Sequence, residues 1–368
     1  MIHAFILRPG REKPAGRASY LPNVQILRFV AALMVLFAHL IHETRDHRVP
    51  LMLPIADRIG IEWGTGVDVF FIVSGFVMYY LTSEQFGARG YAKEFLKRRV
   101  VRVVPLYWLF TALMLLALWQ VPARIRHADA PLSTVIASFL FFPVTRAGGL
   151  VQPILGLGWT LEYEMFFYGC FALALLQRRS TGLAALAASF LCLVVVGRFL
   201  PDSMTSLKFW SNSMIVEFLL GIWLAHLYLS GLRLSLRVQF ALLIASFGLM
   251  LVNSHLPSLD RLIAGGIPAF VLVFGMALGP EWNVRWLALG GDSSFSLYLS
   301  HPFTLNMLAI VWTKTHVPPN GPAYVVVGMM LCVAVALGVY RFVETPMLRL
   351  LRRQSQSFPQ RVLLDSSG

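Results

Sequence analysis

Ile26-Leu27-Arg28-Phe29-Val30-Ala31-Ala32-Leu33-Met34-Val35-Leu36-Phe37-Ala38-His39-Leu40-Ile41 is an apolar run that carries two ionisable side chains. At 100° per residue, the eleven positions from Arg28 to His39 make about three turns, so both side chains fall on one helix face, roughly 16 Å apart along the axis. The run reads as membrane-spanning. A lipid-facing Arg or His there costs about 2.5 kcal/mol or more. Two such residues on one face therefore predict a polar track through a helix bundle. The plainer alternative makes Arg28 a marker of the cytoplasmic end and His39 a hydrogen-bonded interior histidine.

Composition supports a membrane bundle. The 368 residues are 57% apolar and only 13% charged, with a mean hydropathy of +0.68. Soluble domains run about 45–50% apolar and about 25% charged. The net charge of +13 does not indicate nucleic acid, because the cations are scattered between apolar runs and form no separate basic module. Cys170, Cys192 and Cys332 all lie in apolar runs and have neither a disulfide framework nor a metal-ligand spacing. No metal is expected.

Apolar runs bounded by Pro, Gly and charge predict an all-α polytopic bundle of about ten spans, at 24–41, 66–82, 103–120, 159–176, 182–198, 213–229, 238–252, 261–278, 293–313 and 322–343. The segment 132–142 is too short to cross untilted and reads as a re-entrant or interfacial helix. With the N-terminus inside, the inner segments hold 19 Lys and Arg and the outer segments 10. That bias places both termini in the cytoplasm. The domain reading is a basic cytoplasmic arm over 1–22, a membrane domain over 23–346 and a polar cytoplasmic tail over 347–368. The arm, with Arg8, Arg11, Lys13 and Arg17, lacks the pattern of a signal peptide.

Several polar residues inside or beside these spans are candidates for chemistry. Asp68, just inside the second span, needs a partner; a contact with His39 would orient the imidazole and raise its basicity. Ser74 and Gly75 also permit close helix packing. Arg98, Arg99 and Arg102 crowd the boundary before the third span. Such a cluster contacts anionic lipid or, since Arg forks match phosphate, binds a polyanion together with Arg28. Glu164 lies deeper than Glu162 in Trp159-Thr160-Leu161-Glu162-Tyr163-Glu164 and is the more costly to bury. His301 sits about two turns into the ninth span, before Pro302. Glu344 closes the tenth, where its plainer role is a pairing with Arg341 or Arg28.

Taken in order, Arg28 and His39, Gly66-Val67-Asp68 with Phe71 and Ser74-Gly75-Phe76, Arg98-Arg99 with Arg102, Pro105 and Tyr107-Trp108, Trp159-Thr160-Leu161 with Glu164, Ser294-Phe295-Ser296-Leu297-Tyr298-Leu299 with His301, and Glu344 with Pro346 form a set that resembles the acyltransferase 3 family. These are integral membrane O-acyltransferases of bacterial surface glycans. The likeness runs from about Val24 to Pro346. Many members have Leu-Asp before the first Arg. Here Gln25-Ile26-Leu27 stands there, similar to the branch that acetylates exopolysaccharides, as is the stretch from Gly158 to Tyr168. Asn is common where Glu162 stands.

The resemblance implies an inner-membrane enzyme with an acyl-CoA donor, most often acetyl-CoA, and a carbohydrate acceptor that is lipid-linked or growing. Depth in the membrane then gives the donor's phosphates to Arg28, Arg98, Arg99 and Arg102, and makes His39, oriented by Asp68 or Glu164, the general base or a transient carrier of the acyl group. Tyr107, Trp108 and Trp159 are expected to line the cavity, with His301 and Glu344 in support. The competing reading is a transporter of a glycan or lipid-linked intermediate, with the polar track as its path.

Overall fold

The computed structural model describes residues 21–46, 63–120, 130–146, 149–253, 255–256, 259–314 and 321–356. The basic arm ahead of Leu21 and the tail after Gln356 lie outside them. The described residues are mostly helical and include no strand. The α-helices are α1 (Pro22–Asp46), α2 (Thr65–Thr82), α3 (Tyr91–Gln120), α4 (Leu132–Phe139), α5 (Trp159–Leu175), α6 (Arg179–Gly197) and α7 (Thr205–Trp210). The later ones are α8 (Val216–Leu229), α9 (Leu236–Asn253), α10 (Ile267–Leu278), α11 (Arg285–Asp292), α12 (Ser294–Lys314), α13 (Gly321–Val339) and α14 (Thr345–Gln356). Two π-helical turns, Leu262–Gly266 and Tyr340–Glu344, lead into α10 and α14.

Each of the ten predicted spans is helical, but the dimensions carry a smaller count. Among the described residues six helices are long and apolar enough to cross a membrane: Pro22–His42, Thr65–Thr82, Tyr91–Gln120, Arg179–Gly197, Leu236–Asn253 and Gly321–Leu351. Ser213–Leu229 and Leu262–Leu278 are apolar but shorter. α5 is shortened to 17 residues and carries Glu162 and Glu164. α12 is long enough but bears Ser294, Ser296, Ser300 and His301 on its buried side. Polar residues gathered inward lower the apolarity by which a span is recognised. The segment around 132–142 holds the eight-residue α4, about 12 Å long, far short of the ~30 Å hydrocarbon core. The expected tail boundary at 347 falls inside α14, which continues the helix to Gln356.

α2 is the centre of the bundle: 83% of it is buried, against 17% of α6 or α9. The peripheral helices expose apolar side chains such as Leu191, Ile244 and Met330, the surface expected where lipid is the solvent. α2 meets α8 backbone to backbone. A Cβ on Gly75 would lie 2.0 Å from the Phe218 carbonyl oxygen, and one on Gly221 would lie 2.0 Å from that of Ile72. Phe218 then stacks on Phe71 and Phe167, with ring centroids 4.7 and 4.2 Å apart. At the start of α1, Asn23 ties that helix to the end of α10. Its Nδ2 donates to Met276 O at 2.7 Å and Pro280 O at 2.9 Å, and its Oδ1 accepts from Trp282 N at 2.8 Å.

The packing sets a stability test. Gly75→Ala and Gly221→Ala force two backbones apart and should each cost about 1–3 kcal/mol, read as a lower unfolding temperature in detergent. Gly338→Ala, where an added Cβ meets nothing within 4 Å, should unfold at or slightly above the wild-type temperature. Equal behaviour of the three variants would contradict the close α2–α8 contact.

Candidate active site

A cavity of about 170 Å³ opens between α1, α2, α3, α5 and α12. Its wall on α2 runs from Val67 to Met78, about 16 Å at 1.5 Å per residue. Arg28, Arg99 and Arg102 line it, with Ser74, Thr160, Glu164, Tyr168, Ser294, Phe295 and Tyr298. The Arg102 Nη1 donates to Glu344 Oε1 at 2.6 Å, and the Ser296 hydroxyl donates to Glu344 Oε2 at 2.6 Å. Glu344 is fully buried and ends the second π turn. The Arg99 guanidinium lies over Phe95 and Tyr168, 5.6 and 5.9 Å from the ring centroids, the geometry of a cation on a π face. Arg28 Nη1 donates to Gln25 Oε1 at 3.0 Å.

A guanidinium has five N–H donors. Among the described residues one from Arg28 and one from Arg102 are engaged by protein, so most of the donors remain for an anion. Asp292, at the end of α11, is close enough to feel Arg28 and Arg102. Its carboxyl is raised above the ordinary range by burial, which outweighs the two cations. Glu164 accepts from Ser74 Oγ at 3.3 Å and from the Tyr168 hydroxyl. The Tyr298 hydroxyl reaches Thr160 Oγ1 at 2.7 Å and Leu157 O at 3.0 Å, closing one part of the wall.

Beyond Tyr298 stand two histidines. The rings of His39 and His301 have centroids 5.0 Å apart at 64°, and the Tyr298 ring lies 6.2 Å from His301. His39 Nδ1 meets Val35 O at 2.8 Å, and His301 Nδ1 meets Leu297 O at 3.0 Å. The one-face spacing read in the sequence therefore sets Arg28 in the cavity and His39 beside the imidazole of His301.

Other expectations change. Asp68 is not oriented toward His39: it is fully buried and its Oδ2 accepts from Arg261 Nη2 at 2.7 Å. The reason is helix phase. Gly66 faces α1, since a Cβ there would lie 2.5 Å from Ala31 O, and Asp68 follows it by about 200°. Glu164 also stands among the arginines rather than at His39. Arg98 points outward, 65% exposed, and pairs with Glu94 at 2.8 Å one turn earlier. α3 begins at Tyr91, twelve residues before the expected span, and its phase turns Arg99 and Arg102 inward instead.

Tyr107, Trp108 and Trp159 do not line this cavity. Tyr107 is buried against Phe141, ring centroids 4.6 Å apart. Trp108 is 45% exposed and donates to Phe139 O at 2.9 Å. Trp159 packs edge-on against Tyr163 at 6.0 Å. Glu344 pairs with Arg102, not with Arg341 or Arg28. Sequence reasoning passed over Glu217, which is fully buried near Asp68 and has no hydrogen bond on either carboxylate oxygen. Its signal was available: an acidic residue inside the apolar run 213–229.

Three arginines on one internal cavity, within a bundle of long apolar helices, define a membrane protein with a polar interior site. The chain belongs to the acyltransferase 3 family, whose profile, described as an acyltransferase domain, matches residues 21–341. It is an O-acyltransferase. It is similar to the exopolysaccharide production protein ExoZ of Rhizobium meliloti (strain 1021), with 30% identity over 289 residues, covering 77% of this chain and 89% of that protein. No solved structure matches the chain.

The Asp68 cluster yields a prediction of sign. Asp68 is hydrogen-bonded to Arg261, whereas the Glu217 carboxylate accepts no hydrogen bond among the described residues, so the two should differ in what their loss costs. Glu217→Gln keeps the shape of a side chain that makes no hydrogen bond among the described residues and should cost less, about 1 kcal/mol or under. Asp68→Ala removes the buried carboxylate that accepts from Arg261 Nη2 and should cost about 3–5 kcal/mol. Thermal unfolding of both variants in the same detergent checks the ordering, and the reverse order would refute it.

Proposed function

We propose that this enzyme transfers an acyl group, in the simplest case acetyl, from acyl-CoA to a sugar hydroxyl of an exopolysaccharide or related surface glycan. The likeness to ExoZ supports the glycan, which is lipid-linked or growing when it meets the enzyme. We place the enzyme in the bacterial inner membrane with both termini in the cytoplasm and ten crossings, α5, α8, α10 and α12 joining the six long apolar helices. The charge bias of the loops supports that orientation. The observation that carries the proposal is the convergence of Arg28, Arg99 and Arg102 on one cavity whose wall ends at Tyr298, next to the His301–His39 pair.

In this reading the arginines bind the phosphates of the donor. The pantetheine arm lies along α2, past the Ser74 and Tyr168 hydroxyls that Glu164 fixes, and brings the thioester to Tyr298. His39 acts as general base. Its Nδ1 must carry hydrogen, because the Val35 carbonyl can only accept, which leaves Nε2 as the basic nitrogen. The acceptor hydroxyl loses its proton to Nε2 while its oxygen attacks the thioester carbonyl. The C–S bond breaks, and CoA leaves as thiolate to be protonated. The buried setting keeps water from competing for the acyl group. Glu344 holds Arg102 in place, and Asp68 with Arg261 serves the bundle, not the imidazole.

Two adjacent arginines give the sharpest test. With purified protein and acetyl-CoA, Arg99→Ala should weaken donor binding about tenfold or more, as expected for a charged hydrogen bond worth about 1.5–3 kcal/mol, and raised salt should weaken it further. Arg98→Ala should leave binding unchanged. His39→Ala and His39→Gln should retain donor binding and lose transfer by at least about 100-fold. Equal effects at positions 98 and 99, or normal transfer in both His39 variants, would overturn the assignment.

A further inference from the structure

His301 has a feature that packing alone does not require. It is 1% exposed, and its Nε2 is buried without a hydrogen-bond partner. Its Nδ1 lies 3.0 Å from the Leu297 carbonyl, one turn earlier. That oxygen accepts and cannot donate, so Nδ1 carries the ring hydrogen and Nε2 presents a bare lone pair. A buried acceptor with no donor costs about 1–3 kcal/mol. A residue needed only to fill space there would be served by an apolar ring. The carbonyl at i−4 fixes the same tautomer in His39. Two imidazoles with basic Nε2 atoms thus stand with their centroids 5.0 Å apart.

Their positions differ with respect to the cavity. Tyr298 lines it, and its ring is 6.2 Å from that of His301. His301 therefore adjoins both a residue of the cavity wall and His39. In an acyl transfer the proton is taken up where the hydroxyl attacks and is needed where the thiolate leaves. We infer that His301 is the second proton carrier of the reaction, passing the proton taken by His39 to the departing thiolate on the cavity side.

The inference rests on the acyl-transfer reading of this site. The step balances: the hydroxyl proton moves to His39 Nε2, then to the bare Nε2 of His301, then to sulfur. The new C–O bond replaces the broken C–S bond. Both imidazoles return to their starting tautomers, because each Nδ1–H stays on its carbonyl throughout. Thr160 and Leu157 O hold the Tyr298 hydroxyl and so fix the wall against which sulfur would lie.

The test uses full-length protein in nanodiscs, radiolabelled acetyl-CoA, and exopolysaccharide prepared from host cells lacking the gene. His301→Gln keeps a polar hydrogen-bonding group of similar reach but cannot take up a proton and pass it on. His301→Phe keeps the ring packing and removes both nitrogens. Each should lower kcat about 100-fold with KM for acetyl-CoA unchanged. Wild-type kcat in the Gln variant, or a loss confined to KM, would overturn the relay. Wild-type protein that moves no acetyl from acetyl-CoA would instead refute the reading on which it rests.

Discussion

Glu344 is fully buried and both of its carboxylate oxygens are engaged, one by Arg102 and one by Ser296. This junction joins α3, α12 and the π turn before α14 across 242 positions of sequence. A buried carboxylate is tolerable only when paired and hydrogen-bonded, so the junction fixes how three helices meet. It also holds a guanidinium at the cavity without using all its donors. The basic wall therefore depends on one acidic residue that does not line it.

A second buried junction plays the corresponding part on the other side of α2. Asp68 is bonded to Arg261, 193 positions away, and Glu217 of α8 crowds the same carboxylate. Both junctions lie at a π-helical turn, the first at its last residue and the second beside its start. A π turn shifts the face that the following helix presents, and such turns are frequent at functional sites. Between the junctions, α2 is clamped to α8 by the reciprocal glycine contacts. One wall of the cavity is thus made of the most buried of the six long apolar helices, which suits a site that must hold reacting groups in register.

The helices were legible because lipid-facing and core-facing residues are both apolar, and ten apolar runs correspond to ten helical segments. Arg28 and His39 were legible as a pair, since one helix fixes their spacing. What sequence could not supply was rotational phase and long-range pairing. Arg98 and Arg99 are neighbours with opposite environments, and the difference follows from α3 starting at Tyr91. Asp68 was assigned to His39 by depth alone, whereas the phase set by Gly66 turns it toward Arg261. Tyr107 and Trp108 have the composition of a cavity wall, but aromatic residues serve core and lipid surface equally well. His301 was visible as a histidine inside a span. Its contact with His39 joins helices more than 250 residues apart, and no local pattern reports it.

The central claim is that one continuous site holds the donor's phosphates on the arginines and its acyl end beside the two imidazoles. A cryo-EM structure of the full-length protein in nanodiscs with a thioether analogue of acetyl-CoA, which cannot transfer its acyl group, tests this most directly. The account predicts phosphate density within hydrogen-bond distance of at least two of Arg28, Arg99 and Arg102, with the arm along α2 and the acyl end at Tyr298 and His301. Analogue bound outside the cavity, or inside it with the acyl end directed away from the histidines, would contradict it.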